Sequence, residues 1–312
     1  MKGSEADAGL IPSRFCCTFA SKMPGVEWVQ DTFQEGGHTY NRTTMKTPVG
    51  SVSTYSEAGW TQKHWLASRE DYRVMTWIQR RTELTPNYEA FDQAQKDLAP
   101  YGVVSAFVGR TPMQVILVDH TGLESFAMHL FDYKAEMEEL YEAMLVNFRR
   151  IVEIAAGGPG RYVAVLENFT AETMGPQRFA QFHVPVYKEC FPMLRQAGKI
   201  VGTHYDGKLA SCKKLIAESP IDLIESLTPP PEGDMTLAEA RAAWPDKLFW
   251  SNINVSNYEL PPAELKKEVL SRVGQAAPDG RRLAFEISED LPKTWAASIP
   301  VVLDALRETR AR

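Results

Sequence analysis

The chain has 312 residues, with 34 Lys or Arg against 40 Asp or Glu, which gives a net charge of −6. Hydrophobic residues make up 44% and charged residues 24% of the chain, a globular composition that excludes a disordered or fibrous protein. The mild acidity and the lack of a basic stripe argue against nucleic acid as a partner.

The first ten residues, MKGSEADAGL, carry charge where a secretory signal needs an apolar run. No apolar run anywhere in the chain reaches the roughly 18–20 residues that cross a bilayer. Four cysteines do not make a disulfide framework in a chain of this size, and Cys16 and Cys17 are too close in sequence to bridge each other. These features predict a cytoplasmic protein without a membrane partner.

The predicted elements fall into two parts. Residues 1–68 are rich in Gly, Thr and aromatic residues and are predicted to be an irregular segment packed on the main domain. Residues 69–99 have a helical pattern broken by Pro86, and short apolar strands then alternate with amphipathic helices. The strands are predicted at 103–108, 162–166, 199–203, 221–224, 248–250 and 282–285, with residues 14–19 as a candidate first strand.

This alternation predicts a parallel sheet with crossover helices, either open and doubly wound or closed into a (β/α)8 TIM-type barrel. No Gly-rich dinucleotide turn follows any strand, which disfavours the first architecture. Most of the predicted strands are followed by a polar residue at their carboxyl end, which is typical of the mouth of a barrel. We therefore predict a barrel over residues 69–312, a single domain overall, with these polar residues at its mouth: Glu167, Asn168, His204, Glu225, Asn252 and Glu286.

His204 and Asp206 are the most specific pair of candidate functional residues in the sequence. Residues two apart at a strand end point to the same side, so an imidazole and a carboxylate meet there. With a third ligand from another strand they would make an open zinc site. The alternative is that Asp206 orients His204 or caps the following helix.

Two acidic segments follow later strands. Glu225 precedes a stiff triple proline at 229–231, which helps to hold Glu225 and Asp234 over a pocket, although Asp234 or Thr236 equally suits a helix cap. Glu286 and Glu289 leave the last strand close together, where acids raise one another's pKa.

These patterns give a set of candidate roles. Carboxylates serve as general acids, bases or metal ligands, and asparagine amides hydrogen-bond a polar substrate. We assign catalytic roles to Glu225, Glu286 and Asn252. Substrate binding is assigned to Asn168, Asp234, His120, Tyr205 and Arg110, although the pattern around His120 favours a structural residue in the wall.

With these residues placed, the chain from Glu167 to about Leu306 resembles the uroporphyrinogen decarboxylase-like superfamily, in particular its branch of corrinoid-linked methyltransferases acting on methylated cobamides. That family is a (β/α)8 barrel. Its true decarboxylases carry an M-R-Q-A-G-R motif that this chain lacks. The matching segments are ENFTAETMGPQRFAQFHVPVYKE, GKIVGTHYDGKL, DLIESLTPPPEGDMTLAEARAAW and FEISEDLP, with the weaker KTPVGSV and REDYRVM before them.

The resemblance implies a zinc position with altered ligands. Thiol-activating members use H-x-C and a later C-x-x-P, where this chain has His204-Tyr205-Asp206 and Glu289-Asp290-Leu291-Pro292. If Zn²⁺ binds, the implied ligands are His204, Asp206 and Glu289. An oxygen-rich set makes a harder Lewis acid than a thiolate set, which suits an oxygen or nitrogen substrate better than a thiol.

The resemblance therefore implies an enzyme that transfers a methyl group between a small O- or N-methyl compound, or a pterin, and a corrinoid (cobalamin) brought by a partner protein. A homodimer is compatible with the family. Two alternatives stay open. One is a decarboxylase or lyase of a non-porphyrin acid, which needs a cation such as Arg110. The other is a non-catalytic binding protein on the same barrel.

Overall fold

The structure, a computed structural model, describes residues 11–287 and 291–310. The chain forms two compact units. The first contains the described residues up to Thr18, residues 88–109 and the chain from Ala155 onward; the second contains residues 19–87 and 110–154. This division differs from the predicted segments 1–68 and 69–312, because the chain leaves the first unit twice.

The strands and helices are numbered in chain order. The strands are β1 (Ser13–Cys17), β2 (Phe19–Lys22), β3 (Glu27–Glu35), β4 (His38–Thr47), β5 (Gly50–Glu57), β6 (Trp60–Lys63), β7 (Glu83–Pro86), β8 (Val103–Phe107), β9 (Tyr162–Val165), β10 (Ile200–His204), β11 (Leu223–Leu227), β12 (Leu248–Asn252) and β13 (Leu283–Glu286). The α-helices are α1 (Arg69–Gln79), α2 (Glu89–Leu98), α3 (Pro112–Val115), α4 (Leu123–Asp132), α5 (Lys134–Gly157), α6 (Ala171–Arg178), α7 (Val184–Gln196), α8 (Lys213–Ala217), α9 (Leu237–Ala243), α10 (Pro262–Ala276) and α11 (Trp295–Arg310).

The first unit is built on a seven-stranded parallel sheet. Its order is β1-β8-β9-β10-β11-β12-β13, so neighbouring strands of the sheet follow one another along the chain. A doubly wound sheet reverses its strand order at a switch point, and no reversal occurs among the described strands. The predicted parallel α/β sheet is thus confirmed, and the candidate first strand at 14–19 corresponds to β1.

The closed eight-stranded barrel is not confirmed. Among residues 11–287 and 291–310 the sheet has seven strands, and no pairing joins β13 to β1. The sheet nevertheless curls. The rings of Tyr162 on β9 and Trp250 on β12 lie 6.2 Å apart, centroid to centroid. Three strand spacings in a flat sheet amount to about 14 Å, so these side chains meet across a concave face.

Both faces of the central strands are covered. All four residues of β9 are buried, as expected for a parallel strand between a packed interior and a layer of helices. On the outer side of β12 and β13, helices α10 and α11 enclose an apolar cluster of Ile253, Tyr258, Leu265, Val269, Val302 and Ala305. The start of α9 is fixed by a capping box, in which Thr236 and Glu239 satisfy each other's backbone amides.

The second unit corrects the prediction of an irregular N-terminal segment. Strands β3 to β6 form a four-stranded antiparallel meander, and β2 pairs with β7. Met45 and Val52 are buried on one face of the meander, whereas most of its other positions are polar, so the apolar pattern that signals a strand is weak there. Within the described residues, no helix combines the length and apolarity needed to span a membrane.

Candidate active site

Polar side chains from neighbouring strands of the first unit meet at the carboxyl edge of the sheet. This edge carries the active groups of parallel α/β enzymes. Six of the predicted site residues come together here: Asn168, His204, Asp206, Glu225, Asn252 and Glu286.

Glu225 lies at the centre of this group. Its side chain is 2% exposed, and the Tyr162 hydroxyl donates a hydrogen bond of 2.5 Å to its Oε2. Burial, followed by the Glu225 charge, raises the pKa of Tyr162 well above its ordinary value, so the phenol keeps its proton. The other carboxylate oxygen of Glu225, Oε1, is buried without a hydrogen-bond partner among the described residues. A buried acceptor in this state is costly unless a ligand or water satisfies it.

His204 stands between two carboxylates. Its Nδ1 lies 3.8 Å from Glu225 Oε1, and its Nε2 lies 3.7 Å from Asp206 Oδ2, which are ion-pair distances rather than hydrogen bonds. Burial lowers the pKa of the imidazole, but Asp206 and Glu225 outweigh that effect and raise the pKa to about 9. The ring is therefore an imidazolium at neutral pH.

The side chain of Asp206 is positioned by Asn168, which follows the neighbouring strand β9. Asn168 Nδ2 donates to Asp206 Oδ2 at 3.1 Å. Burial alone would raise the pKa of Asp206, but His204 and Asn168 outweigh that effect, so the pKa is lowered overall and the carboxylate is ionised. Asn168 has a φ of 46°, a left-handed conformation that asparagine tolerates better than most residues. This turn directs the amide toward Asp206.

A β-bulge turns Ser226 toward Glu286 and Asn252. The register between β11 and β12 shifts between Glu225 and Leu227, and Ser226 adopts a φ of 61°. A bulge re-aims the side chain of the extra residue. Ser226 Oγ donates to Glu286 Oε2 at 3.3 Å, and Asn252 Nδ2 donates to Ser226 Oγ at 3.1 Å.

A buried arginine and Asn254 connect the end of β12 to the loop that follows β11. Arg272 of α10 is 4% exposed and donates to the Asn252 carbonyl at 3.1 Å and to Asn254 Oδ1 at 2.6 Å. Asn254 Nδ2 in turn donates to the Pro229 carbonyl at 2.9 Å. This chain of contacts fixes the proline loop and the amide of Asn252 relative to each other.

Two predicted site residues have structural contacts instead. Tyr205 has no exposed surface, and its hydroxyl donates to the Tyr187 hydroxyl at 2.9 Å, which donates to buried Glu167 at 2.7 Å. It is not placed to touch a substrate. Asp234 Oδ1 accepts from the amides of Leu209 and Ala210 at 2.7 and 3.0 Å. It therefore caps the turn after β10, not the helix α9 of the alternative prediction.

Arg110 and His120 belong to the second unit. Arg110 forms an ion pair with Asp119 at 3.1 Å. Both ring nitrogens of His120 are buried without a hydrogen-bond partner among the described residues. Burial, with a smaller contribution from His64, lowers the pKa of His120 to about 4. His120 is therefore a neutral imidazole at physiological pH.

The predicted zinc ligands are only partly described. His204 Nε2 and Asp206 Oδ2 are 3.7 Å apart, close to the separation of two ligand atoms on one tetrahedral zinc ion. Glu289, the third implied ligand, lies outside the described residues. Within the described ranges no three His, Cys, Asp or Glu side chains are arranged to hold a metal ion. The residues present thus supply two donors and do not complete a site.

Sequence analysis missed Tyr162 and Ser226. Tyr162 begins its strand, whereas the expected functional residues lie at the carboxyl ends of strands. The available signal is Gly202 in the middle of β10, because a glycine within a strand often marks close approach of another group. A Cβ at Gly202 would lie 2.3 Å from Tyr162 Oη. Nothing in the sequence marks Ser226 as a site residue, because a β-bulge is defined by the pairing of two strands and cannot be inferred from one of them.

We expect Gly202→Ala to displace the Tyr162 ring from Glu225. The added methyl group would overlap the phenol, and such overpacking costs about 1–3 kcal/mol. Urea unfolding measures the loss, with Gly274→Ala as the matched control because nothing lies within 4 Å of its Cβ position. Equal stability of the two variants would contradict the close approach of Tyr162 to β10.

The comparisons with known proteins concern the fold. The solved structure of a methyltransferase from Methanosarcina mazei superposes with a TM-score of 0.50 and 13% sequence identity, over 76% of this chain. The aligned part spans 64% of that chain's length. No protein-family model matches the sequence, and no curated protein matches it. The chain therefore shares its fold, an α/β architecture with a large parallel sheet, with a methyltransferase.

Proposed function

We propose that this protein is a methyltransferase that moves a methyl group between a small O- or N-methyl compound, or a pterin, and a corrinoid brought by a partner protein. The proposal includes action in the cytoplasm, without nucleic acid or membrane as partners, and allows a homodimer. It is supported by the likeness in fold to a solved methyltransferase. The observation that carries it is the placement of His204 between Asp206 and Glu225.

In the proposed reaction His204 is the general acid. The acceptor contributes the electron pair that forms the new bond to the methyl carbon, and the bond from that carbon to oxygen or nitrogen breaks. Its electron pair stays on the leaving atom, which takes a proton from the imidazolium. Methyl transfer from an ether or amine needs this neutralisation, because an uncompensated anion is a poor leaving group.

The remaining side chains prepare that proton transfer. Glu225 and Asp206 keep the imidazole protonated, and Tyr162 fixes the rotamer of Glu225 by its hydrogen bond. Asn252 and Glu286, joined through Ser226, provide polar atoms for the substrate. A Zn²⁺ ion held by His204 and Asp206 would supply Lewis acidity in place of the imidazolium proton, because an imidazole nitrogen that binds a metal carries no proton. The steps above apply to the site without a metal.

The test is methylation of free cob(I)alamin by methanol, methylamines and methoxy compounds, followed by its absorbance change. We expect methylation that needs the purified protein. Parallel assays after dialysis against a chelator measure the metal requirement, and release of carbon dioxide from added acids without corrinoid measures the alternative lyase activity. Absence of methylation with every donor, together with acid-dependent carbon dioxide release, would replace the proposal by the lyase.

A further inference from the structure

A cavity of about 550 Å³ lies in the first unit where the described sheet is open. It is bordered by Pro12 and by Ser13, the first residue of β1, by all of β13, and by helices α10 and α11. We call it the seam cavity. Its volume falls within the range of small-molecule sites, roughly 300–1,000 Å³.

The wall of the seam cavity is mainly apolar. Val273 of α10, Ala277 directly after that helix, Leu303 of α11, and Leu283 and Ala284 of β13 contribute to it. Ala284 is exposed although it lies within a strand of the sheet, so the cavity leaves accessible a position that a closed parallel sheet would bury. Apolar surface retained inside a concave site favours an apolar ligand.

One charge lies in this wall. Among the described residues that line the cavity, Glu286 is the single charged side chain. A carboxylate accepts hydrogen bonds and repels anions. The electrostatics therefore disfavour an anionic occupant and favour one that offers an O–H or N–H group to the carboxylate.

The seam cavity adjoins the candidate active site. Trp250 lines the cavity, and its ring is 6.2 Å from that of Tyr162, whose hydroxyl donates to Glu225. Glu286 also lines the cavity, and it accepts from Ser226, the residue that follows Glu225. A molecule with its body in the cavity would pass Glu286 and Trp250 to bring one end toward His204.

We infer that the seam cavity binds a mainly apolar group that is not anionic and carries a hydrogen-bond donor for Glu286, and that this group is the body of the methyl donor. The second part rests on the proposed function, whereas the binding itself does not. The non-reacting body of a substrate supplies binding energy that holds the reacting end in position.

The test uses two fluorescent probes that share one ring system. N-phenyl-1-naphthylamine is neutral and has an N–H donor, and its 8-sulfonate differs from it by one negative charge. We expect the neutral probe to bind at least about tenfold more tightly, because Glu286 repels the sulfonate. Glu286→Gln should bring the two affinities together. Equal affinities in the wild-type protein would overturn the role of Glu286.

A filled cavity provides the second arm. Ala284→Phe places a ring in the cavity, and Ala297→Phe, on an exposed position of α11 outside the lining, is its matched control. We expect the first variant to lose neutral-probe binding about tenfold and the control to keep it. Equal binding by both variants would overturn the site, and so would a wild-type protein that does not bind the neutral probe. If Ala284→Phe fails to fold, Glu286→Gln decides.

Inhibition of methyl transfer separates the two proposals. The neutral probe should raise the KM of the methyl donor and leave kcat unchanged. Binding of the probe without inhibition would mean that the cavity does not hold the donor, although methyl transfer stands. Absence of methyl transfer with every donor would count against the proposed function, and the probe titrations would still decide whether the cavity is a site.

Discussion

His204→Gln is expected to lower the kcat of methyl transfer about 10²–10⁴-fold, the usual contribution of a positioned general acid. Glutamine keeps a polar side chain of similar reach but does not deliver a proton to the leaving atom. The KM of the donor should change much less, because His204 acts on the bond that breaks. Stopped-flow or steady-state absorbance of cob(I)alamin measures both constants.

The control for this variant is His38→Gln. His38 lies on the exposed β4 strand of the second unit, with 58% of its side chain accessible. Circular dichroism and thermal unfolding of both variants show whether the fold is kept. A folded His204→Gln protein with kcat within about twofold of the wild type would remove His204 from the mechanism.

Glu225→Gln is expected to shift the pH dependence of the reaction. The wild-type pKa of His204, about 9, is raised above the ordinary value of a histidine. The protonated form is therefore retained up to pH values near 9 and is lost above them, and kcat should fall there. Removing the Glu225 charge withdraws one cause of this rise, so the alkaline fall in kcat moves to lower pH.

The same sign applies to stability. A histidine whose pKa is higher in the folded protein stabilises the fold fully below its unfolded pKa, and this contribution is lost as the pH rises through about 9. Nuclear magnetic resonance titration of the His204 ring, beside the pH profile of kcat, measures the shift. Glu172→Gln is the control, because Glu172 pairs with Lys208 instead. An unchanged His204 pKa in Glu225→Gln would contradict the described ion pair.

Much of the first unit follows from sequence periodicity. Apolar runs of three to six residues between amphipathic helices predicted six strands that the structure contains. The rule that active groups lie at the carboxyl ends of parallel strands predicted that His204, Glu225 and Glu286 share one edge of the sheet. Both inferences need only local pattern and the parallel connection of neighbouring strands.

The rest depends on contacts that a single sequence does not display. The depth of Tyr162 in the concave face requires the curvature of the sheet and the missing side chain at Gly202. Tyr205 turns toward the helix that carries Tyr187, because the Tyr187 hydroxyl accepts its hydrogen bond and in turn donates to Glu167. Strands β3 to β6 lack the alternation of apolar and polar residues that marks a strand, so the sequence predicted neither these strands nor their antiparallel register.

The open edge between β13 and β1 bears on how a ligand enters. Each of these two strands has one hydrogen-bonded neighbour in the described sheet, whereas β9, β10 and β11 have two. Amides at such an edge open at a lower free-energy cost than those in the middle of the sheet, without unfolding the remainder. Transient fraying of β13 would therefore widen the entrance while the strands that carry Tyr162, His204 and Glu225 keep their places.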